Sequence, residues 1–523
     1  MIDVHYDLHS SAETCVPESP DPTVFPLDHL ALRGERGAPA LVLRHARLSH
    51  EQLNARVGSL AAWLKARIPE TGARIATWLP KTELACIMPL AAVRAGLVHV
   101  PINPLLKRAQ VAHILGDSGA AMLISNRARL ETLEAGDAPC PCMEEGGAWE
   151  EVGALAGQLP PSDARPESLA AILYTSGSTG RPKGVMLSQA NLWLGAVSVA
   201  HYLKLGPHDR VLAVLPLAFD YGQNQLLSTW YAGGSVVPLD YLTPRDVVKA
   251  VARHAITTIA AVPPLWLQLA EVDWPVDAVR SLKRLTNSGG ALTPSLVRGL
   301  RTRFPDADLY PMYGLTEAFR STYLDPALVD AHPTSIGSAI PFAEILVVND
   351  RGEEAGTGEE GELVHAGPLV AQGYWRDAER TAERFRPAPA FSRLGGTAVW
   401  SGDRVTRDAQ GLLHFVGRRD AMIKTSGNRV SPQEVEEAAV ATGIVAEAVA
   451  IGLPDPQLGQ AIHLVARLAA GADPDALLPA LGSALPNFMV PRHVHWRAVM
   501  PVSPNGKLDR VALAAELAEG ART

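Results

Sequence analysis

Residues 169–184, L-A-A-I-L-Y-T-S-G-S-T-G-R-P-K-G, constrain this chain more than any other stretch. Residues 169–174 are apolar throughout and stop where the glycines begin, the pattern of a buried strand. Thr175, Ser176, Ser178 and Thr179 follow, interleaved with Gly177 and Gly180, and then comes the cation Lys183. Glycine lets a backbone approach an anion closely, while hydroxyls and main-chain N–H groups are donors for phosphate oxygens. The stretch therefore reads as a strand running into a phosphate loop. It is not a Walker A loop, because Pro182 and Gly184 flank the lysine where G-x-x-x-x-G-K-[ST] is required.

The chain of 523 residues is too long for one hydrophobic core, since cores stop growing near roughly 250–300 residues. At least two domains are expected. A net charge of −8 gives no support for a nucleic-acid or membrane surface. Four cysteines do not make a disulfide framework, and Cys140 and Cys142 are too close together for a C-x-x-C metal site. Residues 1–20 lack the apolar core of a signal peptide. The most apolar window, 84–100, is broken by Arg94 and falls short of the ~20 residues needed to span a bilayer. The expectation is a cytoplasmic enzyme with no nucleic-acid partner and no membrane span.

Along the chain, residues 1–25 read as a flexible arm. Ser49 and Gln52 fit a capping box ahead of a helix with Leu53, Val57, Leu60 and Leu64 on one face. Strand and helix patterns then alternate, which predicts parallel sheets with helices on both faces. Near Ala343 the texture changes to hairpin strands, so 335–418 reads as a β-rich piece. After Gly417, Ser431-Pro432-Gln433-Glu434 predicts an N-cap, a proline at the first helical position and a capping-box glutamate. The fold class is α/β. Two doubly wound subdomains and the β-rich part make up 26–419, and a small mobile α+β domain covers 420–523.

Residues 174–184 resemble the phosphate loop of the adenylate-forming superfamily, which comprises acyl-CoA synthetases, amino-acid-activating adenylation domains and luciferases. The resemblance extends from about Leu30 to Leu513. Tyr313-Gly314-Leu315-Thr316-Glu317 is similar to the family's Y-G-x-T-E. That match implies that Tyr313 stacks on adenine beside Gly314, that Thr316 bonds the α-phosphate and that Glu317 holds Mg²⁺. Ser288-Gly289-Gly290-Ala291 resembles the turn lining the adenine and the acyl pocket. Where the family often has an Asn on the adenine amine, this chain has Pro311. Trp400-Ser401-Gly402-Asp403 resembles W/Y-x-T-G-D, implying that Asp403 and Arg418 hold the ribose. Asp420 matches the hinge about which the small domain turns. Lys507, in Pro504-Asn505-Gly506-Lys507, would bridge the substrate carboxylate and the α-phosphate. Lys424 and Gly427 match a segment that swings in for thiol attack: Lys424 is expected on phosphate and Gly427 beside a pantetheine arm.

The acyl pocket departs from a plain fatty-acid ligase. Phe219 stands at the gate position, and Asp220 falls where amino-acid-activating domains place the carboxylate that pairs with a substrate ammonium. The remaining pocket positions become Tyr221, Asn224, Thr286, Ser288, Met312 and Arg320. Unpaired buried polar groups cost roughly 1–3 kcal/mol each, so such a wall suits a polar or amine-bearing acid better than a hydrocarbon chain. A pairing of Asp220 with Arg320 that only shapes the wall is an equal alternative. By similarity over 219–225, 286–291 and 313–324, the chain looks closest to acyl-CoA ligases associated with exosortase systems.

The resemblance implies an ATP- and Mg²⁺-dependent, AMP-forming carboxylate–thiol ligase. Its thiol would come from CoA or from the phosphopantetheine of a separate carrier protein. The alternative within the class is a stand-alone amino-acid adenylating enzyme loading such a carrier. The sequence does not argue for luciferase-like oxidation. A non-catalytic nucleotide-binding protein would be expected to lose Lys507, Glu317 or Asp403, and all three are present.

Overall fold

The computed structural model describes residues 19–175, 182–418, 423–425, 428–455, 458–504 and 506–520. The strand of the phosphate loop lies in a six-stranded sheet, in the order Cys142–Glu144, Ala120–Ser125, Arg74–Trp78, Val98–Pro101, Leu169–Thr175 and Lys183–Ser188. Neighbours are parallel except the last pair, which is antiparallel and sets Thr175 opposite Lys183. Both ends of the loop are thereby fixed by sheet register.

Helices around this sheet begin where the sequence punctuates them. The Ser49 hydroxyl accepts the Gln52 N–H at 3.2 Å while the Gln52 side chain takes the Ser49 N–H at 2.9 Å, opening the helix His50–Arg67. Ser188 and Asn191 form the same reciprocal pair at the head of the helix Gln189–Tyr202.

The second sheet starts parallel, through Pro39–Val42, Ser235–Pro238, Arg210–Ala213, Thr258–Ala261, Arg284–Asn287 and Asp308–Tyr313. It continues antiparallel through Thr322–Tyr323 into Ser335–Ala339, Leu413–Arg418, Thr397–Arg407, Gly361–Ala366 and Glu344–Val348. The hairpin strands expected over 335–418 are therefore an extension of the α/β sheet, which counts fourteen described strands. The join is the strand Thr322–Tyr323, too short to carry any hydrophobic period. It brings Tyr313, at the end of the parallel half, beside Asp403 of the antiparallel half.

A five-stranded sheet follows, built on Val445–Asp455 and Gly459–Leu468 with His493–Trp496 at one side. The alternation of strand residues covers both faces. Ile462, Leu464 and Ala466 pack with the helices Pro432–Ala441 and Leu477–Ala484, while Val465 packs with Leu513 of the helix Arg510–Gly520. The capping box expected at Ser431 does not form. Ser431 is the N-cap, but its hydroxyl donates to the Val416 carbonyl and ties this helix to the larger sheet. The arm expected over residues 1–25 is described from residue 19 only. Its described end is held down: the Trp193 indole donates to the Thr23 carbonyl at 2.9 Å, and Phe25 packs on the same ring. Among the described residues no helix is long and apolar enough to cross a membrane.

Candidate active site

The turn after Tyr313 organises the site. Gly314 lets the chain fold over Arg320, whose Cα would stand 2.9 Å from any Cβ at position 314. The 3₁₀ turn Thr316–Ala318 then runs into Phe319 at φ 59°, ψ −66°, and the Arg320 N–H closes back on the Ala318 carbonyl at 2.7 Å. Such a positive-φ γ-turn is strained for a residue with a side chain. The Phe319 ring, fully buried, overdetermines it by lying where a Cβ on Gly195 would be, 2.3 Å away. Within five residues the turn delivers Thr316, Glu317 and Arg320 to one cavity of about 910 Å³.

At the phosphate end, Lys183 Nζ donates to the Tyr374 hydroxyl at 2.8 Å and lies 3.7 Å from Glu317 Oε1. Tyr374 in turn donates to Glu317 at 2.6 Å. Burial draws the Lys183 ammonium below the usual lysine value; Glu317 opposes this, and Arg384, Arg380 and Arg418 reinforce it. The tyrosine was not singled out from sequence, where the only signal was the run Gly373-Tyr374-Trp375.

An adjoining lobe of about 250 Å³ is lined by Gly289, Gly290, Ala291, Tyr313, Asp403 and Arg418. The Tyr313 hydroxyl donates to Asp403, and burial together with that carboxylate pushes its pKa well above the usual phenol value, so the donor keeps its proton. Arg418, the cross-strand partner of Asp403, lies 3.5 Å from its carboxylate. Ser401 needs only a hydroxyl: it donates to the Leu363 carbonyl at 2.5 Å and accepts the Asp403 N–H at 3.1 Å. Asn287, opposite Pro311 in the sheet, lines the same lobe. Its Nδ2 is fixed on the Gly290 carbonyl at 2.9 Å, and its Oδ1 has no partner among the described residues.

At the acyl end, Asp220 opens the helix Asp220–Tyr231, a start possible only because Gly222 passes 1.8 Å (as a virtual Cβ) from the Pro216 carbonyl oxygen. The Thr316 hydroxyl donates to Asp220 at 3.0 Å. Arg320 Nη1 stands 3.6 Å from the other Asp220 oxygen and donates to Ser288 at 3.1 Å. Its guanidinium lies 4.5 Å over the Tyr221 ring, and the Tyr221 hydroxyl is 2.7 Å from Thr286 Oγ1. The Asp220–Arg320 pairing is thus formed. Phe219, Asp220, Tyr221, Ser288 and Arg320 line the large cavity. Asn224, Thr286 and Met312, expected in the same wall, do not. They line a small space of about 20 Å³ next to Tyr221 and Arg320, Met312 also lining the adjoining lobe, with its sulfur accepting from Tyr202.

Lys507 enters from the C-terminal domain on a turn between the strand His493–Trp496 and the helix Arg510–Gly520, with Gly506 at φ 78° and the Ser503 N–H on the Lys507 carbonyl at 2.6 Å. The Asn103 side chain donates to the Pro504 carbonyl at 2.9 Å and anchors the turn to the large domain. Lys507 Cε lies where a Cβ on Gly289 would be, 2.6 Å away. Burial draws the ammonium below the usual lysine value, opposed by Asp220 and Asp403 and reinforced by Arg320 and Arg418. The side chain still faces the open cavity, so water tempers this shift. Ser176, Gly177, Ser178, Thr179, Gly180, Asp420 and Gly427 lie outside the described residues; Lys424 is on the strand Ile423–Thr425, its side chain likewise outside.

An AMP-binding enzyme family model matches residues 28–375, and an AMP-binding enzyme C-terminal domain model matches 434–507. The chain belongs to the AMP-binding enzyme family. It is 32% identical over 496 residues to feruloyl-CoA synthase of an Amycolatopsis species, covering 91% of this chain and 96% of that one. It is 31% identical over 494 residues to the L-proline–[L-prolyl-carrier protein] ligase of Pseudomonas fluorescens, covering 91% and 96%. ATP-bound MatB from Rhodopseudomonas palustris superposes with a TM-score of 0.85 at 26% identity, covering 94% of this chain and 99% of MatB. The protein is an ATP-binding, AMP-forming acid–thiol ligase.

Proposed function

We propose that this ligase activates a short polar carboxylic acid with Lys507 as the charge that brings acid and nucleotide together. One observation carries the reading. The ammonium of a lysine on a turn of the C-terminal domain shares one cavity with Lys183, Thr316 and Glu317 of the large domain. A carboxylate attacking an α-phosphate concentrates negative charge, and a preorganised cation there is worth on the order of 10²–10³ in rate. Thr316 turns its hydroxyl proton from Asp220 to the α-phosphate, and Lys183 offsets the departing pyrophosphate. Asp403 and Arg418 take the ribose hydroxyls, Tyr313 lies against the adenine and Asn287 Oδ1 accepts from the adenine amine in place of the asparagine that Pro311 replaces.

Glu317 fits Mg²⁺: its carboxylate lines the cavity beside Lys183 and Thr316, and magnesium commonly takes one or two carboxylates with phosphate oxygens and water. When bound, the ion would neutralise phosphate charge as the α–β bond breaks. In the second half-reaction a pantetheine thiol, from CoA or a carrier protein, attacks the acyl carbon and AMP leaves. Rotation of the C-terminal part about Asp420 would withdraw Lys507 and bring Lys424 and Gly427 to the acyl group.

Pyrophosphate–ATP exchange over a panel of acids, without thiol, tests the reading. Acid-dependent exchange is expected, and AMP with pyrophosphate is expected as products once a thiol is added. Release of ADP and phosphate contradicts it.

A further inference from the structure

We propose that Arg384 is a further catalytic residue, which holds the terminal phosphates of ATP and then the pyrophosphate that leaves. This deepens the ligase reading above, which sets the triphosphate tail beside Lys183.

Seven cationic side chains line the large cavity. Lys183, Arg320, Arg380, Arg386 and Arg418 each have a carboxylate at 3.5–3.9 Å. Among the described residues, Lys507 and Arg384 have none. Lys507 is the charge at the reacting centre. Arg384 stands at the other end, where its charge acts on Lys183 and on Tyr374, and its Nε is buried without a partner. A guanidinium has five donors and no acceptor, so a half-buried one without a carboxylate is costly until an anion arrives.

The fold holds this side chain in place from both sides. Asp377 caps the helix Ala378–Arg384 by accepting the Arg380 N–H at 3.1 Å, and Thr381 Oγ1 accepts the Tyr374 N–H at 2.9 Å. Phe385 pairs with Val399 of the strand Thr397–Arg407 and packs edge-on against Tyr374, with ring centroids 5.4 Å apart. Gly402, at φ 67°, leaves room for the guanidinium, because Arg384 Nη1 stands 3.0 Å from where a Cβ would be.

The anion that completes the site is a phosphate group. Lys507 answers the carboxylate of the acid, and Asp403 with Arg418 answers the ribose, so phosphate remains, and the planar fork of an arginine matches two of its oxygens. CoA carries phosphates too. The tail of ATP is favoured because Arg384 lies by Tyr374, whose hydroxyl bonds both Lys183 and Glu317. When the acid's oxygen bonds to the α-phosphorus, the bond from that phosphorus to the bridging oxygen breaks, and its electron pair leaves on pyrophosphate. No proton passes through Arg384. Its N–H groups meet oxygens whose charge grows as the bond breaks, which favours the transition state over the ground state.

Binding of α,β-methylene-ATP and of AMP, each with Mg²⁺, isolates the terminal phosphates. Arg384→Gln is expected to bind the analogue about 10- to 100-fold more weakly and AMP within about 2-fold of wild type. KM for pyrophosphate in exchange should rise in parallel. Arg384→Lys, which keeps the charge and loses the fork, should recover part of the loss. Equal weakening of AMP and the analogue overturns the proposal, since Arg384 would then only shape the ribose side. Unchanged affinity for the analogue overturns it as well, and a raised KM for CoA in that case assigns the site to the phosphates of CoA. The two affinities need no acid, so exchange with no acid at all would remove the ligase reading while they still decide this contact.

Discussion

Tyr374 joins the base and the acid of the phosphate end through one hydroxyl, so its removal is informative. Tyr374→Phe keeps the ring beneath Lys183, 4.1 Å from its centroid, and deletes the hydroxyl's two hydrogen bonds, from Lys183 and to Glu317. Hydrogen bonds to charged groups contribute about 1.5–3 kcal/mol, so exchange should fall about 10- to 100-fold at saturating acid with little change in melting temperature. Asn287→Ala tests a neutral contact. Discrimination of ATP against inosine triphosphate, which lacks the amine, should shrink by about 2- to 10-fold in kcat/KM, in keeping with a net hydrogen bond of about 0.5–1.5 kcal/mol. Neither residue was legible in the sequence. Tyr374 acts on a lysine 191 positions away, and Asn287 matters only because the sheet sets it against Pro311. Asp403, Glu317 and Lys507 were legible because each sits in a short motif whose order along the chain carries information.

At the scale of elements, the positions that matter are where backbone meets backbone. Gly222 is such a point, since a methyl there would overlap the Pro216 carbonyl oxygen at 1.8 Å and backbone cannot swing aside. Gly222→Ala should cost about 1–3 kcal/mol or more in chemical denaturation and move Asp220 off the pocket, lowering exchange disproportionately. Capping at Ser49 could be read directly, because an N-cap needs only local chemistry. Ser431 could not, since its hydroxyl chose a carbonyl of another sheet over its own helix. The continuous second sheet was hidden for a similar reason: its joining strand, Thr322–Tyr323, is specified by long-range pairing and not by pattern.

At the scale of the molecule, two sheets of the large domain and a turn of the C-terminal domain share one site. The C-terminal sheet carries its own pH dependence. His463 lies across from His493, its Nδ1 3.0 Å from His495 Nε2. Burial, aided by the charges of His493 and His495 and opposed by Asp455, holds its pKa down to about 4. The unfolded chain takes up a proton first, near 6.5, so stability is lost as pH falls from about 6.5 towards 4 and does not change above that window on this account. A thermal melt across that range should show the loss, and His463→Gln should reduce it only in part, because burial also holds His99 and His365 of the large domain down, to about 3. The central claim is that Lys507 serves the first half-reaction and leaves for the second. It is tested most directly by assaying Lys507→Ala in the two separately: pyrophosphate–ATP exchange with the preferred acid, and thioester formation from the synthetic acyl-adenylate and thiol. The account expects exchange to fall on the order of 10²–10³-fold while thioester formation stays within a few-fold of wild type. Equal loss in both, or exchange left intact, would contradict it.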